Sequence, residues 1–227
     1  MTTGHILCKL TKKPVNKGVN MGKAEDNKRL KRNTLLSKSY DLFTTKGITD
    51  TSISDIVNSA GVAKGTFYFY FKDKQDIIDH LIARKSEAIL INAVNNLDKK
   101  KKKNPDLPTV DQIIVIADSV VTDLSKDPRL VRFLNRNLNF GFYQKAITDD
   151  TLISSVNVRE EYENILHSNG TKWKDEPIML YTLIEFISST AHTIVLEGTP
   201  CDLDSYKPYM FDCIRKICEV FAVETEA

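Results

Sequence analysis

Apolar residues recur every three or four positions along most of the chain, which is the spacing of one face of an α-helix. No stretch has the strict alternation of a half-buried strand, and no repeat is evident. The pattern therefore predicts an all-α fold, and 227 residues suit a small domain followed by a larger one. The predicted helices span residues 26–46, 53–60, 64–69, 73–98, 109–124, 149–167, 177–196 and 206–223, with a further helix beginning at Pro128.

The clearest local pattern begins at Ser52 and reads SISDIVNSAGVAKGTFYFYFK. Ser52 and Asp55 have the types and spacing of a capping box, and Gly61 stands where a helix commonly ends in a left-handed residue. A second short helix follows, with Phe67 and Phe71 predicted to face inward and its polar residues outward. Two short helices joined by a tight turn form a helix-turn-helix, a motif whose second helix enters the major groove of DNA.

The run LLSKSYDLFTTKGITDTSISDIVNSAGVAKGTFYFYFKDKQDII, residues 35–78, closely resembles the DNA-binding domain of TetR-family transcriptional regulators. The matching pieces are LF-x-x-x-G at 42–47, T-S-x-x-D-I at 51–56 and AGV-x-KGT-x-Y-x-YF-x-x-K at 60–74. So many matches at fixed spacing make a strong signal. The resemblance covers the first third of the chain, and beyond about residue 80 only the helical organisation is similar.

This resemblance implies that the protein binds double-stranded DNA through the helix-turn-helix. Thr66 and Tyr68 match positions that commonly touch phosphates or bases in TetR-like proteins, and Lys72 and Lys74 match positions that usually hold phosphate. Hydroxyl and lysine groups suit both kinds of contact. The candidate DNA-contacting residues are Thr51, Ser52, Lys64, Gly65, Thr66, Tyr68, Tyr70, Lys72 and Lys74.

The charge distribution supports a nucleic-acid partner, although the net charge is only +2. Residues 1–72 hold thirteen Lys and Arg against five Asp and Glu, a balance of +8, and the remainder holds nineteen against twenty-five, a balance of −6. A basic first part joined to an acidic remainder is expected if only the first part meets a polyanion. Lys28, Arg29, Lys31 and Arg32 crowd the start of the first long helix. They are expected either to lie close to phosphates or to form a solvated face.

The same patterns divide the chain into three parts. Residues 1–25 are predicted to form a flexible basic arm, 26–75 the helix-turn-helix domain, and 76–227 a helical effector-binding and dimerisation domain. The run Lys99–Lys103 is more typical of a solvated loop than of a DNA site, because it lacks aromatic neighbours and precedes a proline. Whether the arm and this run contact DNA stays open.

Other classes of function find little support. The four cysteines Cys8, Cys201, Cys213 and Cys218 lack metal-ligand spacing. The sequence has no glycine-rich phosphate loop and no nucleophile–base arrangement, so no catalytic site, metal or cofactor is predicted. No apolar run is expected to reach the length of a membrane span and no secretory segment is recognised, which favours a cytoplasmic protein without a membrane partner.

The resemblance also implies an apolar cavity for a small hydrophobic effector in the larger domain. Glu185 and His192 lie seven residues apart on a mostly apolar helix, and either could bond a ligand or form a satisfied core pair. For the aromatic candidates, plain core packing is the alternative. The candidate ligand-lining residues are Phe133, Phe140, Phe142, Tyr143, Trp173, Tyr181, Glu185, Phe186 and His192.

A homodimer is predicted, because helix-turn-helix proteins gain specificity from two half-sites about 34 Å apart. Helices 177–196 and 206–223 carry more apolar surface than one chain can cover, so the two-fold interface is placed there. The expected function is a repressor released from a palindromic operator by the effector, with helix 73–98 as the sole link between the domains. A DNA-organising protein or a co-repressor-dependent regulator is the alternative. The effector, the operator and the choice between repressor and activator are not determined by the sequence.

Overall fold

The computed structural model describes residues 23–137 and 158–223, and every regular element in these ranges is helical. This confirms the predicted all-α class. An isolated antiparallel bridge joins Trp173 to Ala222. The α-helices are α1 (Lys23–Thr45), α2 (Ile53–Ala60), α3 (Lys64–Tyr70), α4 (Lys74–Lys103), α5 (Thr109–Ser125), α6 (Pro128–Asn137), α7 (Val158–Leu166), α8 (Glu176–Glu197) and α9 (Leu203–Phe221).

The turn between α2 and α3 forms as its sequence predicts. The Asp55 amide donates to the Ser52 hydroxyl over 3.1 Å, and the Ser52 amide donates to the Asp55 carboxylate over 2.8 Å. These two bonds complete the capping box that opens α2. Gly61 ends α2 with φ 65° and ψ 35°, a left-handed conformation that glycine adopts without steric cost. The turn therefore sets the direction in which α3 leaves.

The lysine run Lys99–Lys103 lies in α4, so its prediction as a loop is wrong. The helix continues past the predicted end at 98, and the Asn104 amide donates to the Lys100 carbonyl over 2.9 Å. Lysines in the last turn place positive charge beside the negative end of the helix dipole, which favours their helical state. The run was predicted as a loop because it contains no apolar residues whose spacing would indicate a helix. The favourable interaction of its charges with the helix dipole is not visible in the hydrophobic pattern.

Two hydrophobic cores organise the described helices. The first joins α1, α2, α3 and α4 around fully buried residues such as Leu35, Ile56 and Ile77. The second joins α5, α7, α8 and α9 around Met179 and Met210, both fully buried. The predicted domain boundary at 75 falls in the first turn of α4, so this helix begins in the N-terminal core and ends in the larger part of the chain.

α6 makes a second connection between these parts, which the sequence did not predict. Its buried residues Leu130, Phe133 and Leu134 belong to the first core, although α6 follows α5 in the chain. Asp127 caps α6 by accepting hydrogen bonds from the amides of Arg129 and Leu130. The prediction that the long helix alone links the two domains is therefore wrong.

Among the described residues, one helix, α8, is long and apolar enough to cross a membrane by length and composition alone. The expectation that no apolar run reaches this length was therefore too strong. Core helices of globular proteins pass the same test, and α8 contributes Met179 and Leu183 to the second core. Only 22% of its most apolar stretch is buried within one chain, which leaves most of it available for other contacts.

Candidate nucleic-acid interface

Helix α3 has one face in the core and the other at the surface. Phe67 and Phe71 are buried and pack at 5.7 Å between ring centroids, which confirms the predicted inward face. The T-shaped contact of Phe67 with Tyr68 fixes the helix further. The surface residues of α3 are Lys64, Gly65, Tyr68 and Phe69, which are exposed, and Thr66 and Tyr70, which are half-buried.

Gly65 leaves the backbone of α3 open to an approaching partner. No heavy atom lies within 4 Å of the position that a Cβ would occupy there. Packing within the chain therefore does not require glycine at this position. The open backbone agrees with the predicted close approach to a duplex, where any side chain would add bulk.

The two lysines after α3 differ in their surroundings. Lys72 is exposed. The Lys74 ammonium donates to the carbonyl oxygens of Ile48 at 2.8 Å and Thr51 at 3.1 Å, in a half-buried position. Lys74 thus fastens the start of α4 to the turn between α1 and α2. The resemblance indicated a phosphate contact here, but the ammonium already has two backbone acceptors, so Lys74 is a structural residue in this conformation.

Thr51 and Ser52 are neighbours, but one is buried and the other is exposed. Thr51 is buried, and its hydroxyl donates to the Gly47 carbonyl over 2.6 Å. Its side chain closes the α1–α2 turn and is not presented to a duplex. Ser52 is exposed, and its hydroxyl both accepts from the Asp55 amide and lies 2.9 Å from the Asp55 carboxylate. Of the two, Ser52 alone lies at the surface.

A surface cleft of about 400 Å³ separates the beginning of α1 from α3. Lys28 and Lys31 line one side of the cleft, and Thr66, Phe69 and Tyr70 line the other, together with Asn27 and Gly65. Lys28 and Lys31 therefore lie beside the reading helix, and their proximity to phosphates stays a prediction. Phe69 was not among the predicted site residues. Its exposure follows from the helical period, since it cannot share the inward face of Phe67 and Phe71.

An ion pair links the first two helices beside this surface. The Lys46 ammonium lies 2.9 Å from the Asp55 carboxylate, which also accepts from the Ser52 amide and hydroxyl. The Lys46 hydrogen bond, followed by those from Ser52, lowers the pKa of Asp55 to about 2. The charged carboxylate therefore holds the end of α1 against the beginning of α2.

The contact between α1 and α6 is aromatic, and we call Tyr40, Phe43, Asp127 and Phe133 the α1–α6 contact. The Phe133 ring meets Tyr40 edge-on at 5.5 Å and stacks with Phe43 at 6.5 Å. The Tyr40 hydroxyl donates to the Asp127 carboxylate over 3.4 Å. Burial, then the charge of Asp127, raises the pKa of Tyr40 to about 12, so the phenol stays protonated. Phe133 was predicted to line a ligand cavity, but its ring lies in this contact.

The other predicted ligand residues that the structure describes have different surroundings. The Trp173 indole donates to the Leu166 carbonyl over 2.7 Å, and Phe186 packs at the edge of the second core. Tyr181 and Glu185 are exposed and His192 is half-buried, whereas Phe140, Phe142 and Tyr143 lie outside the described residues. The cavity expected from the resemblance therefore remains a proposal.

Comparison with known proteins identifies the N-terminal part. The family model for bacterial regulatory proteins of the tetR family matches residues 35–81, which run from α1 into α4. The helix-turn-helix part of this chain is therefore similar to the DNA-binding domain of tetR-family regulators. The matched model describes regulatory proteins.

Similar proteins agree with this family. The chain is 31% identical over 93 residues to the uncharacterised HTH-type transcriptional regulator YvdT of Bacillus subtilis, covering 41% of this chain and 46% of YvdT. It is 32% identical over 65 residues to the HTH-type transcriptional repressor BepR of Brucella suis, covering 27% and 31% of the two chains. The match thus spans less than half of each relative.

Solved structures match over much more of the chain. A TetR-family transcriptional regulator from Haemophilus influenzae covers 89% of this chain and 100% of its own, with 15% identity and a TM-score of 0.57. The regulator FadR from Bacillus subtilis, solved in complex with stearoyl-CoA, covers 80% and 96%, with 19% identity and a TM-score of 0.58. At these identities the matches establish the fold of both parts of the chain.

Neutralising Asp55 should weaken the helix-turn-helix in a pH-dependent way. A lowered pKa means that the charged carboxylate stabilises the fold above its ordinary value of 3.8, and that this contribution disappears as the pH falls through about 2. We expect Asp55→Asn to melt below the wild type at pH 7, with the difference closing between pH 4 and pH 2. Thermal melts followed by circular dichroism measure both effects. The exposed Asp106→Asn should match the wild type at pH 7, and a constant difference for Asp55→Asn would contradict the assignment.

Proposed function

We propose that this protein is a transcriptional regulator that binds a palindromic operator as a homodimer. The observation that carries the proposal is the surface of α3, which combines Lys64, Thr66 and Tyr68 with an open backbone at Gly65. These groups can reach phosphates and base edges in a major groove. A regulator that acts on the DNA of a bacterial cell would work in the cytoplasm.

The surroundings of the candidate DNA residues support two different roles for them. Ser52, Lys64, Gly65, Thr66, Tyr68, Tyr70 and Lys72 are the proposed contacts, because they lie wholly or partly at the surface. Thr51 and Lys74 are positioning residues, because their polar groups bond backbone carbonyls around the α1–α2 turn. Phosphate contacts from lysines provide most of the salt-dependent affinity.

The homodimer rests on an uncovered apolar face formed by α8 and α9. Tyr209 is 70% exposed and Val220 is 64% exposed, and they lie eleven residues apart, three helical turns along one side of α9. Ile178 and Tyr181 of α8 are also large and exposed. Large exposed apolar faces commonly mark protein interfaces. A second copy would cover this face and supply the second reading helix.

The proposed switch is release of DNA by a hydrophobic effector. FadR, which shares the fold, was solved with stearoyl-CoA, and the fatty acid metabolism regulator protein of Bacillus subtilis is 29% identical over 83 residues, 37% of this chain. These relatives make a long-chain acyl-CoA the first effector to test. Phe186 and His192 of α8 remain candidate contacts.

An effector can change DNA affinity only by binding one arrangement of the domains better than another. Two physical routes connect the larger domain to α3: the long helix α4 and the α1–α6 contact. Displacement of either would change the separation of the two reading helices in a dimer, while half-sites on DNA keep a fixed spacing. No observation specifically favours the DNA-organising alternative, and a co-repressor-dependent regulator differs in the sign of the ligand response.

Removing the exposed lysine beside α3 should weaken binding to every duplex alike. We expect Lys72→Ala to lower affinity and to reduce the slope of log affinity against log salt by about 1 per half-site. The matched control is Lys102→Ala, an exposed lysine roughly 45 Å away at the other end of α4, which should change neither. Fluorescence anisotropy on a duplex selected from random sequences measures both quantities. Selection that recovers no palindrome would contradict the operator proposal.

A charge on the α8–α9 face should prevent dimerisation. Val220→Glu would bury a carboxylate in the proposed interface, which should raise the Kd of the dimer more than about a hundredfold. Leu30→Glu is the control, because Leu30 has the same 64% exposure as Val220 but lies on α1. Sedimentation velocity at micromolar concentration should give a dimer for the wild type and Leu30→Glu and a monomer for Val220→Glu. A monomeric wild type would exclude this interface.

The effector should stabilise the protein and release DNA together. We expect stearoyl-CoA, but not coenzyme A, to raise the Tm and to lower operator affinity. Phe133→Leu keeps an apolar side chain but removes the aromatic contacts of Phe133 with Tyr40 and Phe43. The variant should therefore keep the rise in Tm on adding stearoyl-CoA but release less DNA. Thermal shift and anisotropy on the same samples separate binding from coupling. Stabilisation without a change in DNA affinity would contradict the switch, and tighter DNA binding would favour a co-repressor.

A further inference from the structure

Phe69 is an exposed apolar residue on a surface of α3 whose other expected DNA contacts are polar. Its side chain is 68% exposed, a value that only Tyr209 exceeds among the large exposed apolar residues of the described ranges. Phe67 and Phe71 already occupy the inward face of the helix. The ring of Phe69 therefore contributes little to the core, and any gain from its burial must come from a partner.

The neighbours of Phe69 limit both its position and the kind of partner. Its ring meets Tyr70 edge-on, with 4.9 Å between centroids and an angle of 89° between the rings. It also lines the cleft that Lys28 and Lys31 border from α1. A partner that reaches Phe69 must therefore also approach two lysines and the hydroxyl of Thr66. A polyanion fits these surroundings better than an apolar protein surface does.

The chemistry of a duplex offers Phe69 one specific contact. A phenyl ring has no hydrogen-bond donor or acceptor, so it cannot read the polar edges of the bases. The C5-methyl group of thymine is the apolar group that base edges present in the major groove, and phenylalanine is among the residues that pack against it. We propose that Phe69 is a specificity-determining residue that reads the methyl group of one thymine in each half-site. This inference rests on the proposed DNA-binding function.

Replacing thymine by uracil tests the contact, because the exchange removes only the methyl group. The first step selects a bound duplex from random sequences with the full chain, and the second replaces each thymine of both half-sites by uracil in turn. At one symmetric position, we expect the wild type to lose roughly fourfold in affinity per half-site, the effect of one buried methyl group. Anisotropy titrations at constant salt measure the loss.

Variants at position 69 assign the effect to the ring. Phe69→Ala should bind the thymine duplex as weakly as the wild type binds the uracil duplex, and should no longer distinguish them. Phe69→Leu keeps an apolar group and should retain part of the discrimination. Tyr68→Phe, a change on the same helix, should weaken both duplexes equally. Because the ring is exposed, the Tm of Phe69→Ala should equal that of the wild type.

The outcomes separate this inference from the proposal on which it rests. If no sequence is selected, the DNA-binding function fails and the inference fails with it. If a palindrome is selected but uracil is tolerated at every position, the regulator proposal stands and the role of Phe69 is wrong. Discrimination that persists unchanged in Phe69→Ala would assign the methyl contact to another residue.

Discussion

The packing of one ring, Phe133, against Tyr40 and Phe43 joins α6 to the helix-turn-helix part of the chain and supplements the connection through α4. Aromatic pairs of this geometry add about 0.5–1.5 kcal/mol each to the apolar area that they bury. The adjoining hydrogen bond from Tyr40 to Asp127 places the cap of α6 in the same contact. Because α1 also carries Lys28 and Lys31 beside the reading helix, we expect a displacement of α6 to reach the proposed DNA-facing surface through α1.

The local features of the helix-turn-helix could be read from the sequence because neighbouring residues determine them. The capping box at Ser52, the left-handed Gly61 and the buried faces of Phe67 and Phe71 each depend on contacts within a few positions. The last turn of α4 was not predicted because it consists of lysines and has no apolar residues at helical spacing. The periodicity of apolar positions thus predicts helices well and their polar ends less well.

Contacts between distant segments were beyond the sequence pattern. Phe133 has the spacing of a core residue, but nothing in its neighbourhood indicates that the partner is α1, about ninety positions earlier. Lys74 matches a phosphate-binding position in a family pattern, yet its ammonium bonds the Ile48 and Thr51 carbonyls because the turn folds back over it. The exposure of Phe69 follows from the helical period, but an apolar ring was not expected among the polar groups of a DNA-contacting face.

The bonds of Lys74 have a mechanical consequence. They attach the first residue of α4 to the turn that precedes α2, and Ile77 and Ile78 in the next turn are buried in the same core. We therefore expect the reading head and the first turns of α4 to move together, without a hinge where the two domains are joined in sequence. Any pivot is then expected farther along α4, where a small rotation would displace α3 by a proportionally larger distance.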